Sequence, residues 1–327
     1  MKVSVIMAAF QAEQFVGKAL QSLKEQTYSD FEAIIVDDCS TDGTPEIAQK
    51  FVDEDERFRL IRLTENGGQA KARNVALAEC VGDFICFLDA DDWLSADALE
   101  KAVETFAEYP RTDSVLFSVI MEYADHTEPF PMPDFDVLSG KEAFRLSLSW
   151  AIHGVYMTRA EIHKPHPYDT SARTYSDDNT TRIHYLLSRE VRRCAGVYHY
   201  LQHEASATHK VSLSRFDYLR ANESMLRQMA ELGVEQSILD DFEHQRWMTL
   251  IDCCWFLYQN RRKFSRDEIE WAEEKIREYW LKIDHTKVKR PHRWKLGYIP
   301  LSRFAFFKKE EYLYFFLKSL KEKIFLH

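Results

Sequence analysis

Long apolar segments and a signal sequence are both missing from this 327-residue chain. No apolar run approaches the roughly 18 residues that cross a bilayer as a helix, and the longest near the C-terminus is Tyr312–Leu317. The N-terminus enters a strand-like run at Val3 without the apolar region and cleavage site of a signal peptide. We therefore expect a protein that does not span a membrane.

Cysteine is present, but not in a pattern that forms a metal site or a disulfide framework. The 6 cysteines include no Cys-x-x-Cys pair with the spacing of a zinc site. Cys86 lies inside an apolar run, as a small core residue does. This usage predicts a reducing compartment, and we expect the protein to be cytoplasmic.

Acidic and basic residues are unevenly distributed along the chain. The formal net charge is −10, but residues 284–327 carry 11 Lys and Arg against 4 Asp and Glu, and the first 283 residues carry 32 against 49. Aromatic and basic residues alternate in the tail, which predicts peripheral contact with an anionic membrane surface at the inner face of the cell membrane. The other interpretation is a helical cap with exposed lysines. The acidic body argues against nucleic-acid binding.

Strand and helix patterns alternate over the first 120 residues. Apolar runs typical of buried strands are followed by apolar residues at helical spacing. The predicted strands are 3–10, 31–36, 58–63 and 84–88. Repeated β-α units of this length predict an α/β fold with a mainly parallel, doubly wound sheet flanked by helices.

The rest of the chain divides into a mixed middle and a helical end. Strand patterns occur at 114–120, 154–158 and 191–200, and helical patterns at 177–188, 214–232, 236–261 and 266–281. Ser139 with Glu142, and Ser265 with Glu268, have the spacing of capping boxes. We expect a first domain at 1–212, with halves 1–110 and 111–212, and a helical C-terminal region with a basic aromatic tail at 213–327.

Polar and acidic residues follow three of the predicted strands. They are Ala8–Gln11 after the first strand, Asp37-Asp38 after the second, and Asp89-Ala90-Asp91-Asp92 after the fourth. The ends of parallel strands share one edge, so these groups are expected to converge on one crevice. The alternative for the last group is a solvated acidic turn that caps the next helix.

This arrangement suits a nucleotide that carries a diphosphate. Asp38 could accept a hydrogen bond from an imide N–H such as uracil N3, and Asp89 and Asp91 could hold a divalent cation against the diphosphate. Lys71 and Arg73, near the start of the third helix, would add positive charge for phosphate.

Four strings in this region resemble the family 2 glycosyltransferases with the GT-A fold. They are Val3–Met7, Val36–Thr44, Gly67-Gly68 with Ala72-Arg73-Asn74, and Phe87–Asp92. The resemblance is specific over about the first 110 residues and looser to about residue 210. It implies a Rossmann-like nucleotide-sugar domain, a nucleoside diphosphate sugar donor, Mn²⁺ or Mg²⁺, and inversion at the anomeric carbon.

The resemblance also implies roles for single residues. Asp38 matches the base-binding aspartate, and Asp89-Ala90-Asp91 matches the DxD motif, with Asp91 as the direct metal ligand and Asp89 near the ribose and the metal. Two positions depart from the family. Ala8-Ala9-Phe10-Gln11 replaces the common Pro-x-Tyr-Asn, although Phe10 could still stack near the base, and Cys39 replaces the usual glycine.

A general base is required, because the attacking hydroxyl must lose its proton during an in-line displacement. Asp178, which opens a helical pattern, matches the family's base position, and Asp177 matches the preceding acid on the acceptor side. Two adjacent carboxylates would raise one pKa, as suits a base. Simple N-capping of the helix is the alternative.

Two further groups are weaker candidates. Trp150 and His153 could face the acceptor sugar, or could simply pack in the core or a loop. Histidines recur at 199, 203 and 209, but no second-ligand spacing supports zinc. In similar family members this region closes over the diphosphate, so His203 or Lys210 could contact it.

The sequence therefore predicts an inverting, metal-dependent glycosyltransferase that uses a nucleoside diphosphate donor, UDP-linked in the first instance, and a glycan or lipid-linked acceptor in polysaccharide biosynthesis. A nucleotidyltransferase is a second hypothesis, but it usually has a glycine-rich loop after the first strand, and residues Ala8–Ala12 contain no glycine. A catalytically inactive sugar-binding protein of the same fold is the third.

Overall fold

The structure is a computed structural model that describes residues 1–175, 177–203 and 211–325, and side chains up to residue 321. The chain divides into two compact units, Met1–Lys210 and Val211–His327. The first contains strands and helices, and the described part of the second contains helices.

The strands of the first unit form one sheet in the order β3-β2-β1-β4-β9-β6-β10-β5, with β7 on β6 and β8 on β10. Their bounds are β1 Val3–Ala9, β2 Phe31–Asp37, β3 Phe58–Arg62, β4 Phe84–Phe87, β5 Trp93–Leu94, β6 Thr112–Glu122, β7 Thr127–Pro129, β8 Val137–Ser139, β9 Tyr156–Arg159 and β10 Glu190–Leu201. Strands β1 to β4 are parallel neighbours, whereas β9 lies antiparallel between β4 and β6. Strands β1 to β4, which carry the predicted nucleotide site, are thus parallel, and the sheet as a whole is mixed.

Helices flank this sheet. They are α1 Val16–Lys24, α2 Thr44–Glu54, α3 Gln69–Glu79, α4 Ala98–Glu108, α5 Gly140–Leu148, α6 Ala160–His163 and α7 Asp177–Leu187. The α/β fold predicted from the alternating patterns is confirmed. The Ser139–Glu142 capping box is present at the start of α5, where the Ser139 side chain accepts from Glu142 N and Glu142 accepts from Ser139 N.

Two apolar layers cover the opposite faces of the sheet, because successive strand residues point to opposite sides. Val3, Val5 and Met7 of β1 pack in one layer with α1 and α4, whereas Ile6 packs in the other layer with α3. The first strands are buried on both faces, which explains their continuous apolar sequences. Their carboxyl ends, where the apolar runs stop, carry the predicted site residues.

The second unit is helical over its described residues. Its main helices are α8 Asp217–Glu231, α9 Gln236–Asn260, α10 Arg266–Lys282 and α11 Phe304–Phe325. Aromatic and aliphatic side chains from α9, α10 and α11 form its core, with Trp247, Ile276 and Phe307 fully buried. The Ser265–Glu268 capping box opens α10 as predicted. In the part of the chain that the structure describes, no helix combines the length and apolar character needed to cross a bilayer.

Candidate active site

Asp38 is held in one orientation at the end of β2. It is buried, and its two carboxylate oxygens accept hydrogen bonds from Gly67 N and Gly68 N, each at 2.7 Å. Gly68 has φ +87°, a conformation that a residue with a Cβ rarely adopts. The glycine pair therefore brings two backbone donors to this carboxylate, and any contact with a base would use the remaining lone pairs.

Backbone strain is concentrated beside the predicted site residues. Among the described residues, the non-glycine residues with positive φ are Gln11, Cys39, Trp150 and Tyr175. Gln11 and Cys39 directly follow the predicted Phe10 and Asp38, and Tyr175 precedes the helix that carries Asp178. Such conformations cost free energy and gather where function constrains the backbone. Cys39, at φ 66°, adopts the left-handed turn that the usual glycine would form.

Arg73 connects the two halves of the first unit. This fully buried side chain donates from Nη2 to Asp89 Oδ1 at 2.6 Å, and its Nη1 lies 3.5 Å from Asp177 Oδ2. Its guanidinium also covers the rings of Phe87 and Tyr168. Burial alone would lower the pKa of Arg73, but Asp89 and Asp177 hold it above its usual value. Arg73 is thus paired with two acids, and its predicted contact with phosphate stays a prediction.

Asn74, next to Arg73, fixes the segment that leads to the predicted base. Its Nδ2 donates to Tyr168 O and its Oδ1 accepts from Tyr168 N, both at 2.8 Å. Further along this segment, Asn179 of α7 donates to Asp169 Oδ2 at 2.6 Å. The Arg73-Asn74 pair thus positions the start of α7 near the DxD motif. Asn74 belongs to one of the sequence strings that resemble the family. Its partner Tyr168 lies 94 residues away, so no local pattern in the sequence predicts this contact.

Asp91 meets His203 at the end of the sheet. The Asp91 Oδ2 and His203 Nε2 atoms are 2.9 Å apart, and the His203 ring stacks on Phe15 with centroids 4.9 Å apart. The sequence predicts His203 near the diphosphate but gives no sign of its contact with the predicted metal ligand Asp91. The two groups interact with each other here, and both belong to residue types that can ligate a divalent cation.

Asp92 ties the DxD turn to the end of β10, just before His203. The buried Asp92 accepts from Tyr198 Oη at 2.7 Å and from Leu201 N at 2.8 Å. Tyr198 Oη also accepts from Asp89 N at 3.2 Å. Burial and the charges of Asp89 and Asp91 raise the pKa of Asp92 to about 8. Through these bonds, Asp92 and Tyr198 set the distance between Asp91 and His203.

Asp178 lies in the first turn of α7 with a perturbed carboxyl group. Its Oδ2 is buried and has no hydrogen-bond partner among the described residues. Burial, together with the charge of Asp177, raises the pKa of Asp178 to about 7, although the Arg182 guanidinium opposes the shift. A carboxylate that titrates near neutral pH can accept a proton from a hydroxyl and release it later.

Trp150 reaches the same helix. Arg182, buried one turn after Asp178, lies with its guanidinium carbon 5.0 Å from the Trp150 ring centroid. His153 is different: it is buried, its Nδ1 accepts from Val155 N at 3.3 Å, and its ring packs edge-on against Phe130. Burial lowers the pKa of His153 to about 4. The ring packs in the interior, as the second interpretation of the sequence has it, and contact of His153 with an acceptor stays a prediction.

The remaining predicted residues lie around the strand ends. Ala8 is near the end of β1, Phe10 is half exposed just beyond it, and Ala90 is buried within the DxD turn. Lys71 is exposed on the first turn of α3, and Gln69 of the same turn donates to Asp89 Oδ1 at 3.0 Å. Lys210 lies outside the described residues. Their individual roles stay predictions.

Comparison with known proteins assigns the class. The family model "Glycosyl transferase family 2" matches residues 4–162, which include both the DxD turn and β1 to β4. Residues 4–162, just under half of the chain, therefore match glycosyl transferase family 2, as the motifs predicted.

Individual relatives and solved structures are similar to this chain. The putative teichuronic acid biosynthesis glycosyltransferase TuaG of Bacillus subtilis is 43% identical over 106 residues, which is 32% of this chain and 42% of TuaG. The poly(ribitol-phosphate) β-N-acetylglucosaminyltransferase TarS of Staphylococcus aureus is 37% identical over 112 residues, 33% of this chain and 19% of TarS. The match thus spans less than half the length of these curated relatives.

The structure of TarS 1–349 in complex with UDP-GlcNAc has a TM-score of 0.73 at 20% identity and covers 95% of this chain and 88% of that one. A Pyrobaculum calidifontis mannosyltransferase in complex with GDP-Man and Mn²⁺ has a TM-score of 0.53 at 17% identity, over 98% of this chain and 87% of that one. At these identities the likeness concerns the fold, and it confirms the GT-A architecture.

Proposed function

We propose that this protein is an inverting glycosyltransferase that moves a sugar from a nucleoside diphosphate donor to a hydroxyl of a glycan or lipid-linked glycan. The observation that carries the proposal is the ion-pair bridge Asp89–Arg73–Asp177. It brings the acids of the nucleotide edge and the start of α7, with its perturbed Asp178, into one site. Transfer needs both groups together, since the leaving diphosphate and the attacking hydroxyl meet at one carbon.

We infer a UDP-linked donor. Asp38, oriented by Gly67 and Gly68, supports recognition of an imide N–H, and Phe10 beyond β1 supports stacking on the base. TarS, which shares the fold, was crystallised with UDP-GlcNAc and with UDP. The sugar itself depends on a few contacts from loops.

Mn²⁺ or Mg²⁺ fits the acids at the sheet edge. Asp91 and His203 present a carboxylate oxygen and a ring nitrogen at one point, and Asp89 lies two residues away with its Oδ1 engaged by Arg73 and Gln69. Within the described residues no group of three or more His, Cys, Asp or Glu is arranged to hold a metal unaided. This is the pattern expected where substrate phosphates complete the coordination. When bound, the cation would neutralise charge on the departing diphosphate.

Asp178 would serve as the general base. The acceptor oxygen forms its bond to the anomeric carbon, the bond from that carbon to the diphosphate oxygen breaks, and Asp178 takes the hydroxyl proton. Its pKa of about 7 matches this task near neutral pH. Asp177 and Arg73 would hold the start of α7 in place, and Trp150 with Arg182 would offer an aromatic and cationic surface to the acceptor.

The acceptor class in this proposal is a surface polysaccharide or its lipid-linked precursor, made on the cytoplasmic side of the membrane. Similarity to TuaG and TarS, named for teichuronic acid biosynthesis and poly(ribitol-phosphate) glycosylation, supports it. Lipid-linked acceptors lie at membranes, so peripheral contact through the basic tail belongs to the same proposal.

The test is calorimetric titration of UDP, GDP and dTDP, each with and without Mn²⁺, into the full chain, Asp91→Ala and Asp53→Ala. Asp53 is an exposed carboxylate on α2 and serves as the matched control. We expect UDP binding that needs Mn²⁺, is lost in Asp91→Ala and is retained in Asp53→Ala. If no nucleoside diphosphate binds the full chain, the transferase proposal is wrong.

A further inference from the structure

Helix α11 exposes an apolar stripe along one side. Phe306, Leu313, Phe316, Leu317 and Leu320 are each between 42% and 53% exposed. At 3.6 residues per turn they fall within about 100° of the helix circumference. We call these five residues the outer stripe of α11. Such a stripe is usually buried in a globular protein.

The opposite side of α11 is anchored in the helical core. Phe307 and Phe315 are buried against Trp247 and Trp255, with ring centroids 5.2 Å and 5.0 Å apart. The helix is therefore fixed by one face, and the outer stripe is a second, separate apolar face. Rotation of the helix could not bury both.

The charges of α11 are sorted between the same two faces. Lys309 is exposed in the middle of the outer stripe, and Lys321 is exposed at its edge. Of the two acids of α11 whose side chains the structure describes, Glu311 is buried, and Glu310 is half-buried and accepts a hydrogen bond from Gly297 N. Among the described side chains of α11, the exposed charges beside the stripe are thus positive.

We propose that the outer stripe of α11 docks on an anionic lipid surface, with its apolar side chains at the level of the acyl chains and Lys309 and Lys321 among the headgroups. An amphipathic helix with large apolar residues and lysines on its margin binds membranes in this way. The positive charge complements anionic lipid, whereas the first 283 residues, with 32 basic and 49 acidic residues, would be repelled. The attraction is therefore local to the tail.

A second copy of the chain fits this face less well. A symmetric dimer through the stripe would bring the two copies of Lys309 into one apolar interface, and no acid among the described side chains of α11 is fully exposed to pair with them. Burying unpaired charge is costly. Lipid headgroups supply the missing anions. This inference rests on the proposed function, whose peripheral membrane contact it assigns to one helix face, and vesicle binding tests it separately from sugar transfer.

The experiment is cosedimentation of the full chain with vesicles of phosphatidylcholine alone and of phosphatidylcholine with roughly 30% phosphatidylglycerol. Three variants are compared: the double variant Phe316→Gln with Leu317→Gln, the single variant Lys309→Gln, and Leu281→Gln as control. Leu281 is an exposed leucine of α10 in the same unit. Light scattering without vesicles measures the oligomeric state of each protein.

We expect binding to the anionic vesicles that weakens with salt. The double variant should bind about tenfold or more weakly, and Lys309→Gln severalfold more weakly, while Leu281→Gln binds as the unmodified chain does. No binding to anionic vesicles, or equal binding by the double variant, would overturn the proposal. So would a dimer that the double variant abolishes in the absence of vesicle binding, because a second copy would then cover the stripe.

Discussion

Each of the two units contains a carboxyl group with a raised pKa and a buried arginine. In the first unit these are Asp178, with a pKa of about 7, and Arg73. In the helical unit they are Glu311, with a pKa raised by burial to about 8, and Arg246, which pairs with Glu243 of its own helix at 2.6 Å. Perturbed groups are often treated as marks of function. Here the same perturbation occurs in both units.

The partners distinguish the two cases. Arg73 joins acids from the end of β4 and from α7, and those acids are partly exposed at the sheet edge. Arg246 pairs with Glu243 of its own helix and lies 3.9 Å from Glu223 of α8, and Glu311 is enclosed by the helical core beside Cys254. A perturbed group thus points to chemistry when separate elements converge on it at an accessible edge. A pKa that is perturbed by burial alone reflects packing.

The largest expected effect is on kcat, and it differs between the carboxyl groups of Asp178 and Glu311. Asp178→Asn removes the proton acceptor but keeps the shape, so we expect kcat for sugar transfer to fall by about a thousandfold with UDP binding unchanged. Glu311→Gln, the matched change in the helical unit, should leave kcat within about twofold. Release of UDP measures both. Equal kcat in Asp178→Asn and the unmodified chain would remove Asp178 from the mechanism.

The pH profile sharpens the same contrast. Protonated Asp178 cannot accept a proton, so kcat should rise with pH through about 7 and then level off. Because the pKa of Asp178 is raised in the folded state, this group makes the free energy of unfolding fall as pH rises from its ordinary pKa of about 4 to about 7. The loss is complete at about pH 8, so Asp178→Asn should not lower Tm there. A profile flat from about pH 6 to about pH 8 would contradict the assignment.

The second effect compares the two arginines. Removing either buried guanidinium leaves partly exposed acids without their partner, so Arg73→Met and Arg246→Met should each lower the free energy of unfolding by about 3 kcal/mol, the lower end of the range for buried pairs. Arg73→Met should also lower kcat by about a hundredfold, through displacement of α7 from the DxD turn. Arg246→Met should not, when assayed well below its Tm. Arg73→Lys keeps the positive charge, so its kcat should lie between those of Arg73→Met and the unmodified chain.

In the assay, urea unfolding and initial rates are measured on the same samples. If Arg73→Met keeps full activity while folded, the bridge between Asp89 and Asp177 is structural only. If Arg246→Met loses activity while folded, the contrast between the units fails.

The third effect concerns Tyr198, which joins Asp89 and Asp92. Tyr198→Phe removes the hydroxyl and should raise the Mn²⁺ concentration for half-maximal activity by about tenfold, with smaller change in kcat. Tyr123→Phe removes an exposed hydroxyl that donates to Glu128, and should have no effect on the metal requirement. A shift in kcat alone would show that Tyr198 does not support the metal site.

The smallest expected effect concerns the capping box, a local motif that occurs in both units. Ser139→Ala and Ser265→Ala each remove a capping box, and each should lower the free energy of unfolding by about 1 kcal/mol without changing kcat. Ser29→Ala, at an exposed position outside the helices, is the control. Urea unfolding measures all three. Unequal losses at the two caps would show that their surroundings, and not the caps alone, set the stability.

Local patterns were sufficient to predict much of this molecule. The buried strands of the nucleotide half, the two capping boxes, the helix at Asp177–Leu187 and the long helices after residue 214 all follow from residues a few positions apart. The strand-end acids were found for the same reason, since each apolar run stops at a carboxylate. Periodicity and capping are short-range interactions, and one sequence displays them directly.

Only the tertiary structure decided which groups meet. The sequence by itself determined that Asp91, His203, Arg73 and Asp177 were candidates, but not that His203 faces Asp91 across 112 positions or that Arg73 binds two acids. The sequence also left two interpretations of His153, contact with an acceptor or packing in the core or a loop. In the structure the ring is buried. These outcomes depend on the antiparallel β9 and on chain segments far apart in sequence. Burial and ion pairing arise from distant elements packing together, so no local pattern records them.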